Sequence, residues 1–96
     1  MDGTGSSSMK VRPGLTGFAG DPEGAGDSIA RLVRFAGRRV PKAERRNTKI
    51  QLMARAELES LGPELRERIL ESCRRVLRSS EFLFKDEWAR VIRGNV

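Results

Sequence analysis

An apolar stripe at helical spacing in residues 65–77 constrains the fold of this 96-residue chain more than any other feature. Side chains three and four positions apart lie on one face of an α-helix, so the stripe predicts a helix with one buried face. The dipeptide Gly62-Pro63 precedes the stripe and is typical of one helix ending and the next beginning. The stripe consists of Leu65, Ile69, Leu70, Cys73, Val76 and Leu77.

A second stripe predicts a helix closer to the N-terminus. Asp27 or Ser28 can cap its first turn, and Gly37 is expected to end it. The basic residues of this segment fall on the opposite side of the helix. Its apolar positions are Ile29, Leu32, Val33 and Ala36.

The segment between these two helices predicts a further helix with two alternative starts. Thr48 and Gln51 form a T-x-x-Q capping box, which would begin the helix at residue 48. Pro41 suits the first turn of a longer version. In both versions Leu52 points away from the apolar side and needs a neighbour. That apolar side comprises Ile50, Met53, Ala54, Leu58 and Leu61.

The C-terminal segment is predicted to form a fourth helix, or an extended run followed by a shorter helix. Phe84, Trp88 and Ile92 are four positions apart and share a face if the whole segment is helical. In the alternative, residues 81–84 are extended and the helix begins at Asp86. The shared face predicts that Trp88 anchors the core.

The composition of residues 1–26 is that of a flexible arm. They contain seven of the ten glycines and few large apolar residues, too few to offset the entropy lost on ordering. Met9 is a second candidate start, which would make residues 1–8 an extension. We therefore expect an all-α protein: a small bundle of three to four short helices in residues 27–96, preceded by a flexible Gly/Ser-rich arm. A domain of this size is marginally stable alone, so a homodimer is an open alternative.

Positive charge is concentrated in residues 28–49, which carry eight basic side chains and one acidic one, whereas the whole chain has a net charge of +6. Arginine offers a planar fork of donors that suits phosphate, and a row of basic side chains can follow a nucleic-acid backbone. These eight residues are the predicted binding residues: Arg31, Arg34, Arg38, Arg39, Lys42, Arg45, Arg46 and Lys49.

The residue types argue against catalysis. The chain has no histidine and one cysteine, so the commonest general base is missing, and a disulfide or a metal site with several thiolates cannot form. Cys73 lies inside the apolar stripe and is predicted to be a small buried residue and not a nucleophile. No pair of carboxylates has the spacing for general acid–base work. We therefore expect no enzymatic activity, no cofactor and no metal ion.

Two functions follow from the charge. The first is a small accessory or regulatory protein that binds nucleic acid, RNA or DNA, by contacting phosphates through the arginine-rich face. The alternative is a helical adaptor that binds an acidic protein surface, with the same basic residues at the rim and Leu52 as an apolar anchor. Membrane binding is the weakest option, and no apolar run is long enough to cross a membrane. Without a recognisable signal peptide, the expected location is cytoplasmic or nuclear.

Overall fold

Residues 7–92 are described by the structure, a computed structural model, and they form an α/β fold. The prediction of an all-α bundle is therefore wrong. Strands and helices alternate along the chain as β1 (Ser7–Val11), α1 (Pro22–Gly37), β2 (Thr48–Ala54), α2 (Pro63–Ser79) and β3 (Ala89–Val91).

Short 3₁₀ turns connect these elements. One lies between β1 and α1, and a longer one leads from α1 into β2. A third turn lies between β2 and α2, and a fourth directly precedes β3. Their bounds are Thr16–Phe18, Lys42–Asn47, Ala56–Leu61 and Asp86–Trp88.

The three strands form one parallel sheet with β2 in the centre. Met9 of β1 pairs with Ile50, and Leu52 pairs with Ala89 of β3. Leu83 forms a further bridge beside the start of β2, where its N–H donates to the Thr48 carbonyl at 3.0 Å. Parallel strands require a crossover between them, and α1 and α2 are the two crossovers.

Side chains of β2 alternate between two faces of the sheet. Thr48, Ile50, Leu52 and Ala54 are buried, whereas Lys49, Gln51 and Met53 are half-buried. The buried set packs with residues of both helices in one core that includes Ile29, Val33, Ile69, Cys73 and Leu77. Both helices therefore cover the same face of the sheet. The face that carries Lys49 is the helix-free face.

The predicted helix of residues 48–61 is the largest difference from the sequence-based expectation. Thr48 begins a strand, and its hydroxyl donates to the carbonyl of Glu44 at 2.9 Å instead of capping a helix. Leu52, expected to point away from the core, is fully buried. The apolar residues of this segment fit the period of 2 of a strand as well as the period of 3.6 of a helix. The segment forms a strand because β1 and β3 pair with it on both sides.

The predicted C-terminal helix is also absent from the described residues. Residues 82–84 run beside β2, and a 3₁₀ turn of three residues, Asp86–Trp88, leads into β3. Phe84, Trp88 and Ile92 therefore do not share a helical face. Phe82 is buried in the core, whereas Trp88 is only half-buried, which corrects the prediction that Trp88 anchors the core.

Residues 7–26 differ from the predicted flexible arm. They contain β1, one 3₁₀ turn and the start of α1, which begins at Pro22 and is capped by Asp21. Val11 and Leu15 are buried, so a few well-placed apolar side chains suffice to attach this segment. The predicted boundary between residues 26 and 27 falls inside α1. Residues 1–6 lie outside the described residues.

The prediction for α2 is confirmed. The helix begins at Pro63, and Gly62 before it has φ of +89°, a conformation that favours glycine. The predicted apolar stripe faces the sheet, with Ile69, Cys73 and Leu77 fully buried. Among the described residues, no helix is long and apolar enough to cross a membrane.

Helices α1 and α2 approach each other closely at Gly26 and Ser72. The Ser72 hydroxyl accepts a hydrogen bond from the backbone N–H of Gly26 at 2.8 Å, and both residues are buried. A Cβ atom at position 26 would lie 2.6 Å from Ser72 Oγ and 2.8 Å from the Ser72 carbonyl oxygen. The helix crossing therefore depends on the absence of a side chain at this position.

We expect Gly26→Ala to destabilise the fold by about 1–3 kcal/mol, because the added methyl group forces the two helices apart. The measurement is chemical denaturation followed by circular dichroism. Gly20→Ala is the matched control, since a Cβ there has nothing within 4 Å. Equal stability of the two variants would contradict the close approach.

Candidate functional site

The carboxyl ends of the three parallel strands meet at one edge of the sheet, which we call the carboxyl edge. In open parallel α/β sheets, ligands bind outside such strand ends where the strand order reverses, and the order β1-β2-β3 of the described strands contains no reversal. Arg12 directly follows β1, and Arg55 directly follows β2. The backbone at Ile92, after β3, is tied to the same edge, since its N–H donates to the Ala54 carbonyl at 2.8 Å.

Arg12 and Arg55 are the first residues after β1 and β2, and both are basic. Both side chains are exposed. Within residues 7–92, neither guanidinium forms an ion pair. Two unpaired guanidinium groups after neighbouring strands make this edge a site that can take an anion, since arginine matches phosphate with two parallel N–H donors.

The eight basic residues predicted from the sequence are spread over α1, the 3₁₀ turn after it and β2, although Arg34, Arg38 and Arg45 line one pocket at the end of α1. Arg31, Arg34 and Arg38 lie on or just after the exposed side of α1, and Arg39 follows that helix. The expected row of Lys42, Arg45, Arg46 and Lys49 requires one continuous α-helix. The chain instead forms a 3₁₀ turn and then β2, so these four side chains do not form one helical row.

Arg45 is a structural residue. Its Nη2 donates to the Gly37 carbonyl at 2.8 Å and its Nε donates to the Val40 carbonyl at 3.1 Å, at the end of α1. The guanidinium also lies 3.6 Å from a Glu81 carboxylate oxygen and 5.9 Å from the centre of the Phe82 ring. It therefore joins the end of α1 to the segment that follows α2.

Lys49 and Arg46 have different surroundings. Lys49 lies on the helix-free face, with its Nζ 4.4 Å from the centre of the Trp88 ring. Arg46 and Lys42 are exposed in the 3₁₀ turn. Arg39 lies near β1 beside the exposed Phe35. The basic side chains of residues 28–49 thus have different surroundings. Most are exposed to solvent, Arg45 forms structural hydrogen bonds, and Lys49 lies over an aromatic ring.

Several arginines of α2 pair with acids. Arg78 contacts both oxygens of Asp86, at 2.7 and 2.8 Å, and also Glu71 at 2.9 Å. The hydrogen bonds from Arg78 hold the pKa of Asp86 below its usual value. Arg74 donates to the Ala89 carbonyl at 3.1 Å. These contacts attach α2 to β3 and to the turn before it.

Cys73 is buried, as the sequence predicted. Burial raises the pKa of its thiol to about 12, although Arg74 acts in the opposite direction. The thiol is therefore protonated at neutral pH and does not serve as a nucleophile. Within residues 7–92, no three acidic, cysteine or histidine side chains come close enough together to hold a metal ion.

Comparison with known families resolves the class of protein. Residues 3–96 match the model of the GDA1/CD39 (nucleoside phosphatase) family. The chain belongs to this family. Probable apyrase 6 of Arabidopsis thaliana is 50% identical over 93 residues, covering 97% of the chain and 17% of that relative. Ectonucleoside triphosphate diphosphohydrolase 4 of Homo sapiens is 34% identical over 87 residues, covering 90% of the chain and 14% of that relative.

A third relative gives the same picture. Probable apyrase 3 of Arabidopsis thaliana is 49% identical over 89 residues, which cover 93% of the chain and 18% of that relative. The chain of this GDA1/CD39 family member thus spans less than a fifth of the length of these three relatives. The similarity extends over nearly the whole chain and includes the segment predicted as a flexible arm.

Family membership overturns the predicted function. The prediction of an RNA- or DNA-binding regulatory protein is wrong, and so is its alternative, an adaptor for an acidic protein surface. The family is one of nucleoside phosphatases, so the expectation of no enzymatic activity is wrong as well. The prediction followed the amount of charge in residues 28–49 and not its arrangement, which the tertiary structure determines.

Sequence reasoning missed Arg12 and Arg55, because their position depends on the strands before them. One signal was present for β2: the polar residues Lys49 and Gln51 alternate with the apolar residues Ile50 and Leu52. Alternation of this kind favours a strand with one buried face, although the apolar Met53 interrupts it. Reading it as a strand would have placed Arg55 at a strand end. For β1 the glycine- and serine-rich composition concealed the strand.

We expect Arg45→Gln to destabilise the fold by about 2 kcal/mol, because two hydrogen bonds from a charged donor are lost. Arg45→Lys keeps the positive charge but lacks the planar set of guanidinium donors, so most of the loss of stability should remain. Arg46→Gln is the matched control, an exposed neighbour for which little change is expected. Thermal unfolding of the three variants checks this. Full stability of Arg45→Lys would show that charge alone is sufficient.

Acid should weaken the Asp86–Arg78 contact. The pKa of Asp86 is lowered in the folded chain from an ordinary value of 3.8, so its contribution to stability is present above that value and is lost as the pH falls through the folded pKa. We expect Asp86→Asn to lower the melting temperature at neutral pH by a few degrees. The variant should also lose less stability than wild type when the pH falls below about 4. Asp27→Asn, an exposed aspartate, is the control. Parallel pH curves for wild type and Asp86→Asn would contradict the assignment.

Proposed function

We propose that this chain takes part in the hydrolysis of nucleoside di- and triphosphates, and that its carboxyl edge supplies arginines that contact the phosphates. The observation that carries the proposal is the match of residues 3–96 to a nucleoside phosphatase family. The human relative is an ectonucleoside triphosphate diphosphohydrolase, and its name supports the same substrate class. The proposal concerns the phosphate contacts that residues 7–92 can make.

The separation of Arg12 and Arg55 suits a diphosphate group. Val11 pairs with Leu52, so Arg55 lies two residues beyond the level of Arg12. Adjacent strands are about 4.8 Å apart and each residue advances the chain by about 3.3 Å, which separates the two Cα atoms by roughly 8 Å. Side chains as long as arginine can converge on neighbouring phosphates from that distance.

The chemistry of the two guanidinium groups fits the reaction. A transferred phosphoryl group spreads negative charge over its oxygens, and fixed cationic donors stabilise that charge. Because Arg12 and Arg55 have no ion-pair partner within the described residues, no competing carboxylate among them must be displaced. Their role in this proposal is to bind and orient the phosphates.

We expect Arg12→Gln and Arg55→Gln each to weaken the binding of ADP and ATP to the 96-residue chain by about tenfold, equivalent to about 1.4 kcal/mol. Isothermal titration calorimetry measures the affinity, and release of inorganic phosphate measures turnover. Arg34→Gln on the exposed side of α1 is the matched control and should bind as wild type does.

Two results would overturn the proposal. One is the absence of any ADP or ATP binding at low salt by a folded chain. The other is equal affinity of wild type and the Arg12→Gln, Arg55→Gln double variant, which would show that the phosphates contact other residues. Adenosine, which has no phosphate, should bind far more weakly than ADP if the arginines act as described.

A further inference from the structure

Two lysines contact the ring of Trp88. The Nζ of Lys49 lies 4.4 Å from the ring centre, and the Nζ of Lys85 lies 5.6 Å from it. Trp88 is half-buried at the end of the 3₁₀ turn that leads into β3. We call these three residues the Trp88 patch.

The Trp88 patch lies on the helix-free face of the sheet. Lys49 is at a half-buried position of β2, between the buried residues Thr48 and Ile50. Leu83 pairs with Lys49 in the neighbouring segment and is 45% exposed. Lys85 is exposed and Trp88 is half-buried, so part of the patch contacts solvent.

The two ammonium groups have no carboxylate partner within residues 7–92. The nearest acid in sequence to both Lys85 and Trp88 is Asp86, and it is held by Arg78 through two hydrogen bonds. The neighbouring Glu87 is exposed and forms none of the ion pairs among these residues. Two like charges at one ring repel each other, and an anion between them would remove that repulsion.

We propose that the Trp88 patch is a second binding site for a nucleoside phosphate. The base displaces an ammonium group from the face of the indole and stacks there, and the phosphate contacts the displaced Lys49 and Lys85. Stacking on an aromatic side chain favours any nucleobase, and lysine binds phosphate as a point charge. A ligand that combines a flat aromatic ring with an anion matches the patch better than either group alone.

The Trp88 patch is separate from the carboxyl edge. Lys49 precedes Arg55 by six residues of extended chain, which is about 20 Å at 3.3 Å per residue. Ala89 pairs with Leu52, so Trp88 lies four residues, or roughly 13 Å along the strands, before the level of Arg55. The inference goes beyond the proposed function and rests on it only for the class of ligand. A nucleotide bound at the patch leaves Arg12 and Arg55 free.

Trp88 itself reports on the ligand, because the chain contains one tryptophan and no tyrosine. We expect ADP to quench the fluorescence of Trp88 in a saturable manner. Adenosine should quench only at much higher concentration, and pyrophosphate should compete with ADP without quenching. Excitation at the red edge of the tryptophan band, with N-acetyltryptophanamide as a reference, corrects for light absorbed by the nucleotide.

Variants of the two lysines test the phosphate contacts. Lys49→Gln and Lys85→Gln should each raise the ADP concentration for half-maximal quenching by about fivefold or more, as the loss of one charged contact predicts. Lys49→Arg keeps a cation at the ring and should restore most of the affinity. Lys42→Gln, an exposed lysine of the 3₁₀ turn, is the matched control, and circular dichroism confirms folding.

Three outcomes would overturn the proposal: no saturable quenching by ADP, equal quenching by adenosine and ADP, or no effect of either lysine variant. The two sites can also be told apart. If Arg12→Gln and Arg55→Gln abolish the quenching while the lysine variants do not, the fluorescence reports the carboxyl edge. The Trp88 patch would then be rejected and the proposed function would stand. Quenching that survives both arginine variants supports a separate site.

Discussion

The pairing of β2 on both of its edges is the constraint on which the rest of the structure depends. A central strand must satisfy its backbone N–H and C=O groups on two sides, and here the partners come from residues 7–11 and 89–91. Because both pairings are parallel, each needs a long crossover, and α1 and α2 supply them. The crossovers in turn cover the buried face of β2 and create the core.

The close contact of the two helices follows from this arrangement. Both crossovers lie on the same face of a narrow sheet, so α1 and α2 must pack side by side. Gly26 allows the approach, and the Ser72 hydroxyl bonds the backbone there. The opposite face keeps Lys49 and its neighbours half-buried. The same topology therefore produces a face packed against two helices and a helix-free face that carries the Trp88 patch.

The basic side chains of residues 28–49 have three kinds of surroundings in the fold. The arginines of α1 are solvated, Arg45 bonds the carbonyls at the end of α1, and Lys49 lies over Trp88. Arg12 and Arg55, which contact the phosphates in the proposed function, lie outside that segment. Charge density along the sequence is a poor guide to a binding site, because an anion responds to groups that are close in space.

A moderate part of the fold could be predicted from the sequence. The stripe of residues 65–77, the proline start of α2 and the burial of Cys73 follow from local spacing, and α2 has them all. The end of α1 at Gly37 was likewise predicted, whereas its start was placed five or six residues too late. Local sequence signals are sufficient to predict a helix where the apolar residues of a segment have one clear period and the segment has strong capping residues.

Tertiary structure alone decided the strands and the candidate site. Residues 48–54 fit a helix or a strand equally well in isolation, and only the hydrogen bonds offered by β1 and the residues around β3 favour the strand. Once β2 is a strand, Arg55 follows a strand end and Lys49 faces away from the helices. Local spacing thus determined the helices of this protein. Non-local pairing determined the sheet, because a strand is stable only when distant segments satisfy its backbone.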